Sequence, residues 1–551
     1  MPVDLALING NIITVDRRDR IAEAVGVGSG KILKVGRNAE IRSLIDSKTK
    51  VIDLLGKTVT PGMIDVHNHF AMSGINEVFV FNLRYPKVKS IRELLKIVRE
   101  EAEKTAAGRW VQGRGWDEAL FEERRYVNRW DLDPVSPKNP VVLTHTSGHY
   151  IAVNSLALRL AGISKGTPEP RGGTIEKDPK TGEPTGILKE EPAMNIVRKV
   201  VPPWSVEETE RGIARAQELV LTEGITAVKD PGVDNVSLEA YRNLRRRGEL
   251  RLRAYLLYKV DTASQTEDAV NSLKVGGDDT LVLGGLKMFL DGSGMGRTAW
   301  MYRDWNKNFR ERDVGNKGYP VVDPDEFKRM VKIAHKAGFQ IGAHAIGDRA
   351  IDFTLEAYEE ALKESPRRSS RHTIIHSNAP TPRELERMKR LGDNLAIETQ
   401  SPFLYFIGDS YAGNFGPSRS RQMIPLRSYI ERGITVGNSA DWFVCPFPPK
   451  FGIWAAIERR TWKETYGPHP FGRRESVTVR DALRTYTALA ARCLFMEDKV
   501  GTIETGKYAD LAVWSDDLYS VPTRRIRDLS IEMTIVGGKI EHVNPSATVQ
   551  A

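Results

Sequence analysis

Residues 61–70 read Pro61-Gly62-Met63-Ile64-Asp65-Val66-His67-Asn68-His69-Phe70. Pro61-Gly62 is a turn signal. Met63-Ile64-Asp65-Val66 has the length and apolar content of a buried strand in a parallel sheet. His67 and His69 stand at its end. Strand side chains alternate between faces, so both imidazoles leave one face and Asn68 the other. Two nitrogen ligands on one rigid edge suit a metal ion. Two satisfied structural histidines would give the same pattern, so the rest of the chain must decide.

Downstream the sequence alternates helical and strand-like segments. Helix 206–223 leads to Ala227-Val228, helix 236–247 to Leu252-Arg253-Ala254-Tyr255, and helix 265–275 to Gly285-Leu286-Lys287-Met288-Phe289. Helix 324–337 precedes Gln340-Ile341-Gly342-Ala343-His344, helix 348–363 precedes Thr373-Ile374-Ile375-His376, and helix 382–391 precedes Leu395-Ala396-Ile397-Glu398. The last unit is helix 425–432 with Thr435-Val436-Gly437. Repeated helix–strand units predict a parallel sheet, and this many predict a closed barrel. Residues 1–58 and the C-terminus from about 500 read instead as short strands and turns, among them Asp4–Ile8, Ala24–Val27, Asp510–Trp514 and Met533–Val536. They predict a small β-sandwich built from both ends, flanking a barrel over 59–499. Residues 70 to about 200 form an insertion expected to cover the active site.

In such a barrel the reactive groups sit at the C-terminal ends of the strands. The polar residues at those ends are His67, His69, Lys287, His344, His376 and Asp441. Imidazole with carboxylate suits zinc or another borderline divalent ion. Each residue alone has a structural alternative; six at one rim favour a metal site.

Thr58–His69, Gly113-Arg114-Gly115-Trp116-Asp117, Gly148-His149, Lys287–Ala299, His344–Ala350, Ile375-His376 and Val500–Leu511 together resemble the amidohydrolase superfamily. Within it they resemble amidohydrolase family 3, the YtcJ-like branch, and the likeness runs over nearly the whole chain. The resemblance implies a distorted (β/α)8 barrel with a β-sandwich flank and a binuclear metal centre, with zinc the default ion. His67, His69 and Asp441 would hold the first ion, and His344 and His376 the second. Lys287 would carry a CO2-derived carbamate that bridges them. Two departures concern the pocket: Asn438-Ser439-Ala440-Asp441 replaces the more usual Gly-Ser-Asp, and Ser377-Asn378 follows His376.

Composition sets the limits. Of 551 residues, 40% are hydrophobic and 28% charged, a soluble globular balance. No apolar run approaches the roughly 20 residues of a membrane span, and the N-terminus lacks a signal-peptide layout. Two cysteines, Cys445 and Cys493, exclude a disulfide framework and a thiolate zinc site. A reducing cytoplasm is the expected location. The net charge of +9 comes from 81 basic and 72 acidic residues. The basic clusters are short, scattered and free of interleaved aromatics, which reads as solvated surface rather than a nucleic-acid site. The expected partner is a small molecule, with homo-oligomerisation left open.

These readings predict a metal-dependent hydrolase that cleaves a C–N bond in an amide, N-formyl group or cyclic amide. Asp441 is expected to move the proton between water and the leaving amine. His149 is expected either to stabilise the oxyanion or to serve as a hydrogen-bonded structural residue. Trp116, Asp291, Arg297, Trp300 and Trp442 are candidates for the substrate wall or for supporting the ligands. A lyase, decarboxylase or isomerase on the same barrel is the alternative, and a non-catalytic scaffold a third.

Overall fold

The computed structural model describes residues 3–307 and 311–549. Eight parallel strands follow one another in chain order around a nearly closed sheet: Met63–Asp65, Ile225–Val233, Arg253–Lys259, Leu281–Phe289, Gln340–Ala345, His372–His376, Leu395–Thr399 and Thr435–Asn438. Each strand expected from the sequence lies in this sheet, because runs buried on both faces are almost wholly apolar and bounded by helices. The register aligns Phe289 with His344 and Ala345 with His376, so the polar strand ends share one rim. At the seam between the last and first strands, Val66 N–H reaches Asn438 O at 3.4 Å, while Ile64 N–H is taken by Tyr486 O at 2.7 Å.

The chain ends form two further sheets. One is four-stranded, in the order Lys31–Gly36, Ala24–Gly28, Leu5–Ile8 and Lys50–Asp53. The other is six-stranded and joins both termini, with Leu511–Trp514 antiparallel to Thr58–Pro61. One apolar cluster, including Leu7, Val25, Ile52, Val59, Val513 and Ile535, lies between them. The ion pair of Arg253 Nε with Asp510 Oδ2, at 2.7 Å, ties a barrel strand to this region.

Between the first and second barrel strands the chain builds a third structure. Its six-stranded sheet runs Thr174–Lys177, Pro184–Lys189, Tyr150–Val153, Val141–His145, Val111–Trp116 and Phe81–Asn82. It has its own core of Leu94, Val98, Trp116, Leu132 and Leu143.

Helix Val206–Leu221 shows how sequence places the outer layer. Ser205 and Glu208 form a capping box. Ile213, Ala216, Gln217 and Val220 recur at helical spacing and are buried. The helix packs on Phe70–Phe79, the helix that starts directly after His69. The two backbones meet at glycines: a Cβ on Gly74 would lie 1.9 Å from Gly212 O. Gly74→Ala therefore forces the helices apart, with an expected loss on the order of 1–3 kcal/mol. Thermal melting against wild type checks this, and an unchanged melting temperature would contradict the close approach.

Candidate metal centre

The first barrel strand ends at Asp65, and the chain bends so that both His67 and Asn68 are fully buried. Asp65 fixes this bend. Its carboxylate accepts from His67 N–H at 3.1 Å, Asn68 Nδ2 at 3.1 Å and Ala440 N–H at 3.4 Å. Burial pushes the Asp65 carboxyl up to about 7 in spite of these donors. Across the seam, Asp441 N–H donates to His67 O and His69 N–H to Trp442 O, both at 3.0 Å. Asp441 Oδ1 thereby comes to 3.4 Å from Nε2 of both His67 and His69.

His376 joins this group, its ring 5.2 Å from that of His67, and ligand atoms of His67, His376 and Asp441 lie within 4.8 Å of one another. Lys287, His344, His376, His69 and Asp441 line one cavity of about 840 Å³. Burial pushes His69 down to about 3 and the Lys287 amine down to about 7, against the pull of Asp441 on both. Burial also works against ionising Asp441, but the surrounding imidazoles outweigh it and hold the carboxyl below its usual range.

The donor atoms lack protein partners. His67 Nδ1 and Nε2, Lys287 Nζ and Asp441 Oδ1 are buried without a hydrogen bond among the described residues. The remaining imidazoles carry a sharper signal. Gln400 Nε2 donates to Glu398 O and Ser439 Oγ, which turns Gln400 Oε1 toward His376 Nδ1 at 2.7 Å. His376 is therefore protonated on Nδ1, leaving a lone pair on Nε2. His344 Nε2 faces the acceptor Gly292 O at 3.1 Å, so its lone pair is on Nδ1. These two lone-pair nitrogens stand 3.0 Å apart. A cation shared between them makes that arrangement favourable, and burial opposes protonating either ring. The residues present fit a divalent ion.

The backbone is strained at the same place. His376 (φ 74°), Ser377 (φ 46°) and Asp441 (φ 53°) are left-handed without being glycine. Each costs about 1–3 kcal/mol and persists only where its surroundings dictate it.

His149 lines the cavity, its ring 5.1 Å from that of His344. Its Nδ1 meets Glu190 Oε2 at 2.8 Å, and Glu190 Oε1 accepts from Thr298 Oγ1. Burial pushes the imidazole down, but Glu190 more than compensates, and the net shift is upward. Asp291 lies behind His344, its Oδ1 3.7 Å from Nε2, and accepts backbone N–H groups of Ile346, Gly347 and Trp300.

The other expected wall residues stand elsewhere. Trp116 is inside the insertion core with its indole N–H on Leu143 O. Arg297 pairs with Asp313 at 2.9 Å. Trp300 is buried under the Arg349 guanidinium, and Trp442 packs against Phe447. None of these four lines the cavity; each indole or guanidinium is already engaged by a neighbour in packing or an ion pair.

Sequence reasoning passed over the layer beneath the centre. Lys229 and Glu398, both fully buried, form an ion pair, and Lys229 also donates to Gln340 Oε1 at 2.9 Å. The second Glu398 oxygen lies 3.6 Å from His67 Nδ1. The available signal was a lone acid at the end of the apolar run Leu395-Ala396-Ile397. Asp65, inside Met63-Ile64-Asp65-Val66, offered the same signal, whereas Gln400 and Glu190 did not.

Comparison with known proteins fits this geometry. The Amidohydrolase family profile matches residues 50–542, and the chain belongs to that family. An N-substituted formamide deformylase of Arthrobacter pascens is 31% identical, with 98% of each chain covered. Protein LONG AFTER FAR-RED 3 of Arabidopsis thaliana is also 31% identical, over 97% of this chain and 91% of its own. The crystal structure of an uncharacterized metal-dependent hydrolase from Pyrococcus horikoshii superposes with a TM-score of 0.75 at 25% identity, covering 94% of this chain and 99% of that one. The protein is a hydrolase of the amidohydrolase family.

The buried pair generates a prediction. Glu398→Leu leaves the Lys229 ammonium uncompensated and should destabilise the protein by roughly 3–5 kcal/mol. The double variant Lys229→Met/Glu398→Leu should recover most of that loss in denaturant unfolding. A double variant as unstable as the single would refute this account of the layer.

Proposed function

We propose that the protein is a metal-dependent hydrolase of carbon–nitrogen bonds in amides, formamides or cyclic amides. The observation that carries the reading is the facing lone-pair pair, His344 Nδ1 and His376 Nε2 at 3.0 Å, beside the unpaired His67, Asp441 and Lys287 atoms. The likeness to a formamide deformylase supports the bond class. His67, His69 and Asp441 would hold one ion, and His344 and His376 a second. Divalent ions there, zinc by default, supply Lewis acidity and lower the pKa of water.

The chain's own groups do the rest. The Asp441 carboxylate, through the oxygen not turned to the ion, would take a proton from the attacking water and return it to the leaving nitrogen. His149 is held through Nδ1 by Glu190, leaving Nε2 to donate to the carbonyl oxygen as charge develops there. With burial pushing its amine down to about 7, Lys287 has a substantial neutral fraction near neutral pH that is able to add CO2. The nitrogen forms a bond to carbon and releases a proton, and the carbamate presents two oxygens where an ammonium would repel cations. The same reading takes 1–58 and 500–551 as one β-sandwich domain, supported by the apolar cluster that both ends share. The barrel then spans 59–499, and the insertion at about 70–200 covers the site.

Two outcomes are expected. His67→Ala and His344→Ala should each lower hydrolysis of N-substituted formamides at least about 100-fold, with metal content falling in elemental analysis and the fold retained. Full turnover after chelation would sink the reading. Lys287→Ala should bind metal weakly and regain activity with short carboxylic acids, while Lys287→Arg should not. NMR of wild type given isotope-labelled bicarbonate should show a carbamate signal that both variants lack.

A further inference from the structure

Arg114 has no role in the chemistry above, yet it stands in the cavity. It lies on the insertion strand Val111–Trp116, is 8% exposed, and lines the cavity beside His69, His149 and Asp441. Its Nε and Nη2 are buried with no hydrogen-bond partner among the described residues, and the Asp441 carboxylate acts on it without an ion pair and offsets only part of the burial. A guanidinium withdrawn from water without a counter-charge is strongly unfavourable.

The other buried arginines are satisfied. Arg253 is forked onto Asp510 at 2.7 and 2.9 Å. Arg387 pairs with Glu359 and Asp352. Arg459 has no carboxylate but donates to the carbonyls of Met423, Ile424, Phe471 and Gly472. Of the other basic groups near the cavity, Arg198 and Lys259 share Glu191 at 2.7 and 2.9 Å, and Lys287 belongs to the candidate metal-ligand set. Arg114 is the exception.

Its position is built. The guanidinium sits over the face of Phe443. Phe443 in turn stacks on His69 at 5.2 Å. Gly148, at φ 77°, makes the room: a Cβ there would come 2.9 Å from Phe443 and 3.6 Å from Arg114 Nη2. The planar donor fork is thus held one aromatic ring away from the metal-ligand cluster. The rest of the wall includes Met72, Met194, Trp204 and Phe289, which suits an apolar body.

We infer that Arg114 is the carboxylate-recognition residue of this cavity, and that preferred substrates are apolar amides bearing a carboxylate close to the bond that is cut. A carboxylate presents two oxygens to the guanidinium fork and supplies the missing counter-charge. The word substrate rests on the hydrolase reading; the binding site does not.

The test uses the full-length metal-loaded protein. Calorimetry with hydrocinnamate, and with 3-phenylpropanol as its neutral match, is run on wild type, Arg114→Met and Arg114→Lys. Hydrocinnamate should bind wild type at least about 30-fold more tightly than Arg114→Met, with Arg114→Lys between them. The alcohol should not discriminate to that degree. Equal carboxylate affinity in wild type and Arg114→Met overturns the inference, since the anion would then be held elsewhere in the centre. In parallel, kcat/KM is measured for N-formylphenylalanine and for N-formyl-2-phenylethylamine, which lacks only the carboxylate. The acid should be preferred by wild type, and the ratio should collapse toward one in Arg114→Met. Hydrolysis of both with no preference refutes Arg114 and leaves the hydrolase reading standing. Arg114-dependent carboxylate binding without cleavage of any C–N bond supports the inference and refutes that reading.

Discussion

Two backbone hydrogen bonds across the barrel seam, Asp441 N–H to His67 O and His69 N–H to Trp442 O, set the geometry of the centre. They extend the pairing of the last and first strands past the point where the regular sheet stops. They also place one carboxylate oxygen within 3.4 Å of two imidazole nitrogens. Asp65 braces the seam from below by binding both His67 N–H and Ala440 N–H. Holding Asp441 there requires a left-handed backbone, and the cost is offset only because both sides of the seam are fixed.

Beneath this rim the barrel interior is not uniformly apolar. The Lys229–Glu398 pair with Gln340 occupies the layer below His67, where hydrocarbon would pack as well. Its second oxygen faces His67 Nδ1, and Gln400, two residues on, sets the tautomer of His376. One strand, Leu395–Thr399, and the residue just past it thus place a carboxylate beside one imidazole and orient another while contributing none. This is the supporting shell that precise ligand geometry requires.

The barrel was legible in the sequence because its strands are buried on both faces and therefore read as short apolar runs between helices. Polar residues at the ends of such runs stand out, which is why His67, His344, His376, Lys287 and Asp441 could be named and are found at one rim. Support by side-chain amides and carboxylates was less legible: Gln400 and Glu190 resemble any polar residue until their partners from distant segments arrive. The tryptophans show the converse. Trp116 lies within a motif and near the expected pocket in sequence, but the insertion has a core of its own, and a single sequence does not say to which core an indole turns. Arg114, two residues earlier on the same strand, faces the cavity; the strand bulges between these positions, which defeats simple alternation.

The seam also fixes the centre in time. Asp65 and Ala440 are 375 residues apart in the chain, and His67 leaves the ribosome long before Asp441 does. At about 5–20 residues per second the interval is roughly 20–75 s. Throughout it the first imidazoles lack their carboxylate, and the edge of Met63–Asp65 that faces the last strand lacks its partner. The full set of candidate ligands therefore comes together only late in this protein's synthesis, after the final strand has docked. Until then, a nascent chain must keep that edge from pairing with anything else.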